Sequence, residues 1–270
     1  MKTWTVVILF AAAVAARGEV EQKTTEQHSF SGAKKLILDD VLGAIDAVGY
    51  SGHELQVEVS KTVRAESAER ADAAKREVKL DVNQSGEVVR VFVDGLRDRD
   101  HGWRRDGYEV IYDFKLKVPF GTFLDLRTVT HGGINLDHTA GDFDLRDINT
   151  LIELVDVAGS GNVHTINGGL KAIFARKPDR ACQFNSINGA LDVSFPADLS
   201  ADVRMKTING ALYTDFPVAG LPLAVSAPER QNGKFLYRSR HGQAVRIGNG
   251  GPELTFETIN GTVYIRRLGK

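Results

Sequence analysis

The sequence predicts an all-β protein: a right-handed parallel β-solenoid (a β-helix) with rungs of about 20 residues and one short docked helix. Three observations predict it. The tetrapeptide Thr-Ile-Asn-Gly, or a near copy, recurs at 165–168, 186–189, 207–210 and 258–261, and each copy is followed two places later by an apolar residue, Leu170, Leu191, Leu212 or Val263. Two weaker relatives at 128–132 and 147–150 put the central apolar residues at 129, 148, 166, 187, 208 and 259, in steps of 19, 18, 21, 21 and 51. Around the turns, as in Val163-His164-Thr165-Ile166 and Leu170-Lys171-Ala172-Ile173-Phe174, apolar residues tend to return every second place, which is the period of a strand.

The turn chemistry fits a corner between strands. Asn167-Gly168, Asn188-Gly189, Asn209-Gly210 and Asn260-Gly261 are read as turn residues supplying the positive φ angles of a tight bend. A two-residue Asn-Gly link also marks an antiparallel hairpin, so that reading competes. Regular unit length favours the solenoid, because copies of equal length can stack identical residues in register. Stacking would align Asn167, Asn188 and Asn209 in a ladder and Ile166, Ile187 and Ile208 in a continuous inner stripe. About seven rungs at ~4.8 Å would make a stack on the order of 30 Å long. The step of 51 is read as hiding extra rungs and a loop, with 221–251 the uncertain part.

The remaining elements follow in chain order. Met1, Lys2 and Thr3 precede an uncharged apolar run from Trp4 to Ala16, with small Val14 and Ala16 at the exit. That is the pattern of a secretory signal over 1–16, too short for a membrane span of about 20 apolar residues. Residues 17–29 are polar and read as a flexible lead-in. The segment 30–120 is expected to start the solenoid, since 43–48 and 133–136 share a pattern. Leu55-Gln56-Val57-Glu58-Val59 alternates as a strand. Ala65, Ala68, Ala71, Ala74 and Val78 recur at helical spacing, predicting a short helix over 65–78 docked by small side chains. Strands are expected at 88–93 and 108–119, with a charged, glycine-bearing loop at 94–107 between them; the repeat solenoid then fills 121–270.

Composition bounds the function. Of 270 residues, 42% are apolar and 26% charged, an ordinary globular balance. Loss of the leader removes Lys2 alone, leaving 33 basic against 35 acidic residues and a charge of −2, which argues against nucleic acid or anionic lipid as a partner. Cys182 is the only cysteine, in a predicted strand, so no intramolecular disulfide exists and its thiol is read as a small core group.

At this point the residues support a resemblance. A strand ending in Lys117-Val118-Pro119, followed by Thr-Ile-Asn-Gly repeats, resembles the bacterial "putative adhesin" family with β-strand repeats, over about residues 30–268. The resemblance implies an exported parallel β-solenoid and carries over no catalytic residue.

Candidate sites are few. Arg99, His101, Trp103, Arg104, Arg105 and Tyr108, with Arg97, combine cations and aromatics able to grip an anionic or sugar partner. Asp98, Asp100 and Asp106 interleave with them. Asp137, His138, Asp142, Asp144 and Asp147 form an acidic stretch, but their spacing matches no metal loop and their alternation suits a solvated face. Arg240-His241-Gly242 and Gly159-Ser160-Gly161 lack the context of a phosphatase or nucleophile-elbow motif. The expectation is therefore a periplasmic, cell-surface or secreted module with no catalytic residue, cofactor or metal. It would bind an envelope polymer, glycan or protein, with no membrane segment left after leader cleavage. The alternatives are a polysaccharide lyase or hydrolase on a β-helix, which needs paired carboxylates in a cleft, and a regulatory module of envelope stress signalling.

Overall fold

The computed structural model describes residues 5–6, 12–16, 19–40, 42–95, 107–222, 229–231, 234–236 and 242–269. Apart from one α-helix, its regular elements are strands, in two large mixed sheets of 12 and 11 strands and one small hairpin. Neither large sheet closes on itself.

The repeats build the centre. Phe123–Arg127, Phe143–Asp147, Gly161–Thr165 and Cys182–Asn188 lie in the 11-stranded sheet. The strands between them in sequence, Ile134–Asp137, Ile152–Val157, Leu170–Phe174 and Leu191–Phe195, lie in the 12-stranded sheet. The chain thus crosses from sheet to sheet at every turn, and each strand pairs in parallel with the strand one circuit earlier. Lys35–Asp39 and Ile45–Tyr50 form the circuit before these, pairing with Phe123–Arg127 and Ile134–Asp137.

Period-2 alternation turns one set of side chains into the space between the sheets. From one sheet come Leu38, Leu126, Leu145, Val163, Phe184, Phe256 and Met205, aligned rung by rung and buried. Facing them are Ile45, Ile134, Ile152, Leu170, Leu191 and Val263. Ring pairs tighten the later rungs, with Phe184 and Phe256 at 4.9 Å and Phe174 and Phe195 at 4.9 Å between centroids. Cys182 is buried among them, and burial pushes its thiol pKa up.

The all-parallel expectation needs correction at both ends. Glu54–Ala65 runs antiparallel to Glu19–Ser31 on one side and to Tyr108–Pro119 on the other, and Lys79–Ser85 with Val88–Asp94 forms a hairpin. Beyond the last rungs Gln243–Ile247 and Val218–Gly220 are antiparallel too. A parallel stack leaves open ends, and strands of other direction cover them except where the parallel Leu212–Thr214 ends the 12-stranded sheet. The flexible lead-in expected over 17–29 is, from residue 19 on, part of the strand Glu19–Ser31, which is paired along its length with Glu54–Ala65. Its polarity reflects one solvent-facing side, and the backbone bonds supply the order. Within the expected leader, Thr5–Val6 and Ala12–Ala16 also run antiparallel to this strand.

The step of 51 has a different cause from extra rungs. Glu253–Asn260 inserts between Cys182–Asn188 and Ala201–Asn209, parallel to both. Val263–Arg267 likewise inserts between Leu191–Phe195 and Leu212–Thr214. The spatial order of the repeats is therefore 165, 186, 258, 207, and the intervening chain makes the antiparallel end strands.

The helix, α1 (Ala68–Glu77), is shorter than the predicted 65–78. Ser67 caps it by accepting from the Arg70 N–H at 3.3 Å, and Ala71 and Ala74 are fully buried against the sheet. The Lys61 ammonium donates to the Val78 carbonyl at 2.7 Å, a cation placed at the negative end of the helix.

Candidate binding surface

One corner of the repeat carries four parallel rows of like residues. Innermost are Thr128, Asp147, Thr165, Ser186 and Thr258, all buried. Ser186 donates its hydroxyl to the Gly168 carbonyl at 2.9 Å, Thr258 to Gly189 at 3.1 Å, and Thr207 to Gly261 at 2.9 Å. Each hydroxyl thus ties its own strand to the glycine of the adjacent rung.

Parity then sends the isoleucines outward. Since Val163 and Thr165 face in, Ile166 faces out, and the same holds for Ile187, Ile259 and Ile208. Ile208 is 64% exposed. The expected inner isoleucine stripe is therefore an outer ridge, and threonine and serine take the inner place. At Thr128, Ser186, Thr207 and Thr258 the hydroxyl is tolerated because a carbonyl of a neighbouring turn lies within reach, whereas the buried Thr165 hydroxyl has no such partner.

The asparagine ladder is present and longer than expected. Asn209 Nδ2 donates to Asn260 Oδ1 at 2.7 Å, Asn260 to Asn188 at 2.7 Å, Asn188 to Asn167 at 2.9 Å, and Asn167 to Asn149 at 3.0 Å. All four bonds run the same way, so the amide dipoles align and reinforce one another. Each interior amide keeps one N–H and one lone pair for solvent or a partner.

The glycine row has a different cause from the one expected. Gly168, Gly189, Gly210 and Gly261 are not among the positive-φ residues. An added Cβ would instead meet the next rung: Thr150 O at 1.7 Å from Gly168, Gly168 O at 2.1 Å from Gly189, Gly189 O at 2.0 Å from Gly261, and Gly261 O at 1.9 Å from Gly210. Close stacking of corners, not turn handedness, demands glycine.

Other predicted residues fall elsewhere. Arg99, His101, Trp103, Arg104 and Arg105, with Arg97, lie outside the described residues, as do Arg240 and His241. Tyr108 is 8% exposed and donates its hydroxyl to Glu77 Oε2 at 2.6 Å, within the packing between sheet and helix.

The acidic stretch does not gather into one site. Asp144 pairs with Arg146 through two bonds of 3.1 Å, and Asp142 holds Arg180 and the Ser160 N–H. His138 lies between Asp137 and Asp156, at 2.6 and 3.1 Å. Asp147 is buried, accepts from the Thr150 N–H at 2.7 Å and hydroxyl at 2.6 Å, and has its carboxyl pKa raised by burial. Among the described residues no group of three or more His, Cys, Asp or Glu side chains could hold a metal ion.

Two hollows lie away from the rows. A cavity of about 480 Å³ at the opposite corner is lined by Asp142, Ser160, Arg176, Lys177, Arg180 and Asp198 among others. A groove of about 720 Å³ crosses the outer face of the 12-stranded sheet beside Gln27, Asp46, Tyr50, Glu58, Lys115 and Lys117. Sequence reading missed a third feature on that sheet, Tyr213 stacked on Tyr264. Its signal was available, because each tyrosine follows its repeat threonine, Thr207 or Thr258, by six places.

No protein-family model matches this chain. No curated protein matches it either. Solved structures overlap it loosely. A "putative cell adhesion protein" from Clostridium sporogenes is 8% identical with a TM-score of 0.43, over 91% of this chain and 99% of that one. A "putative adhesin" from Bacteroides fragilis is 9% identical with a TM-score of 0.41, over 91% and 97%. No helix among the described residues is long and apolar enough to cross a membrane.

Proposed function

We propose that this protein is an exported, non-catalytic, adhesin-like module whose repeat region is a two-sheet β-solenoid presenting a rigid surface to an envelope polymer, glycan or protein. The observation that carries the reading is the unbroken ladder from Asn149 to Asn209 beside an outward isoleucine ridge. Such a strip offers aligned donors and acceptors next to apolar surface, already fixed by the strands, so a partner orders little on binding. The leader-like N-terminus supports export. Dispersal of Asp137, Asp142, Asp144 and Asp147 onto separate partners supports a role without bond cleavage.

The test is binding of residues 17–270 to bacterial and host glycans, peptidoglycan and envelope extracts, with product analysis on every hit. Retention with the polymer unchanged is the expected result. Shortened products would make this an enzyme, and no retention by any of them would remove the binding role.

A further inference from the structure

We propose that Tyr213, Tyr264 and Arg266 form a site for a neutral saccharide ring at the outer face of the 12-stranded sheet; this rests on the binding-surface reading and names a ligand class for it. Tyr213 and Tyr264 are register partners on Leu212–Thr214 and Val263–Arg267. Their rings are parallel to within 12° with centroids 5.3 Å apart. Leu212–Thr214 is the last strand of this sheet, and Tyr213 is 55% exposed. The side of the Tyr213 ring away from Tyr264 is therefore a flat apolar face fixed on a strand.

The polar rim is held as firmly. The Arg266 guanidinium lies 4.6 Å from the Tyr264 ring centre. Its Nε and one terminal nitrogen donate to the two oxygens of Asp192 at 2.6 and 2.9 Å. Two of its five N–H groups are used there, and the others, with the spare lone pairs of Asp192, remain for a ligand.

Charge selects the class. Asp192 neutralises Arg266, Glu153 neutralises Lys171 in the same row at 2.9 Å, and Asp215 accepts from the Arg267 backbone nearby. Asp192, Asp215 and Glu153 thus match Arg266, Arg267 and Lys171 in number, so this edge has no net positive charge to draw a phosphate or a uronate. A sugar ring fits, because one side of it is C–H surface that covers an aromatic face while its rim of hydroxyls both donates and accepts. Pre-stacked tyrosines lose little freedom on binding, which favours even a small ligand.

The experiment is calorimetric titration of residues 17–270 with a neutral N-acetylglucosamine tetrasaccharide and, separately, with an anionic galacturonate tetrasaccharide, while tyrosine ring signals are followed by NMR. The neutral sugar is expected to bind and to shift the Tyr213 ring. Tyr213→Ala should weaken it roughly fivefold to tenfold, and Tyr213→Phe, which keeps the face, should stay within about twofold. Unchanged binding by Tyr213→Ala, or an unmoved Tyr213 ring in the native protein, overturns the site and leaves the presenting-surface reading standing. Tighter binding of the galacturonate, or binding of envelope extract without either sugar, overturns the ligand class. Failure of every polymer, envelope extracts included, overturns both. The ring readout uses the unaltered chain, so it decides even if a variant misfolds.

Discussion

Gly189 sits so close to the preceding rung that a Cβ there would lie 2.1 Å from the Gly168 carbonyl oxygen. Gly86 is the opposite case, with φ of +60° and open space around it. Asparagine tolerates the left-handed region but still carries a Cβ. Gly86→Asn should therefore cost less than Gly86→Ala, whereas Gly189→Asn and Gly189→Ala should each cost at least about 2 kcal/mol by urea denaturation. A mild Gly189→Asn would return the turn-handedness explanation. Asp147 makes a pH prediction. Its folded pKa is raised above the ordinary 3.8, so the stability linked to its proton is fully present below 3.8 and is lost as pH rises through the folded value. The side-chain oxygen of an asparagine at this position can accept the same Thr150 donors without carrying charge. Asp147→Asn should thus melt above the wild type near neutral pH and flatten the profile from about pH 4 upward. An unchanged profile would remove Asp147 as its source.

Among the elements, the ladder corner and α1 show how local bonds hold larger pieces. Asn188 both donates to Asn167 and accepts from Asn260, whereas Asn209 makes only the terminal donation. Asn188→Ala should cost about 1–2 kcal/mol and Asn209→Ala about half that, measured by urea titration. Equal costs would mean that the amides do not act as a connected row. For the helix, Ser67→Ala removes the hydroxyl that accepts from Arg70 and should cost about 1 kcal/mol in the same assay.

Across the whole molecule, the decisive feature is the late arrival of the last repeat. Glu253–Asn260 is a central strand between Cys182–Asn188 and Ala201–Asn209, although it is nearly the last strand made. The place must stay open until the C-terminus is available, a non-local closure of the kind that slows folding. Deleting 252–270 would remove Phe256 from its stack on Phe184 and leave Cys182–Asn188 and Ala201–Asn209 each unpaired along one edge. The truncated chain should lose its cooperative unfolding transition, and a wild-type urea midpoint would contradict this strand order.

The sequence by itself determined the repeat length, the all-strand character, the helix near Ala71 and the existence of an asparagine ladder. These rest on period-2 alternation and on near-identical units, which are local properties of the chain. It misplaced the isoleucines, because alternation says which residues share a face but not which face is inside. Parity was settled only when Val163, Phe184 and Phe256 met the opposing sheet and carried Thr165, Ser186 and Thr258 inward with them. Likewise, the repeats can be counted in the chain but their stacking order cannot. A strand 51 residues later can pair as well as one 21 residues later, and only tertiary contact placed 258 between 186 and 207. The glycines had the same ambiguity: a sequence shows that no side chain is allowed, and the neighbouring carbonyl in space supplies the reason.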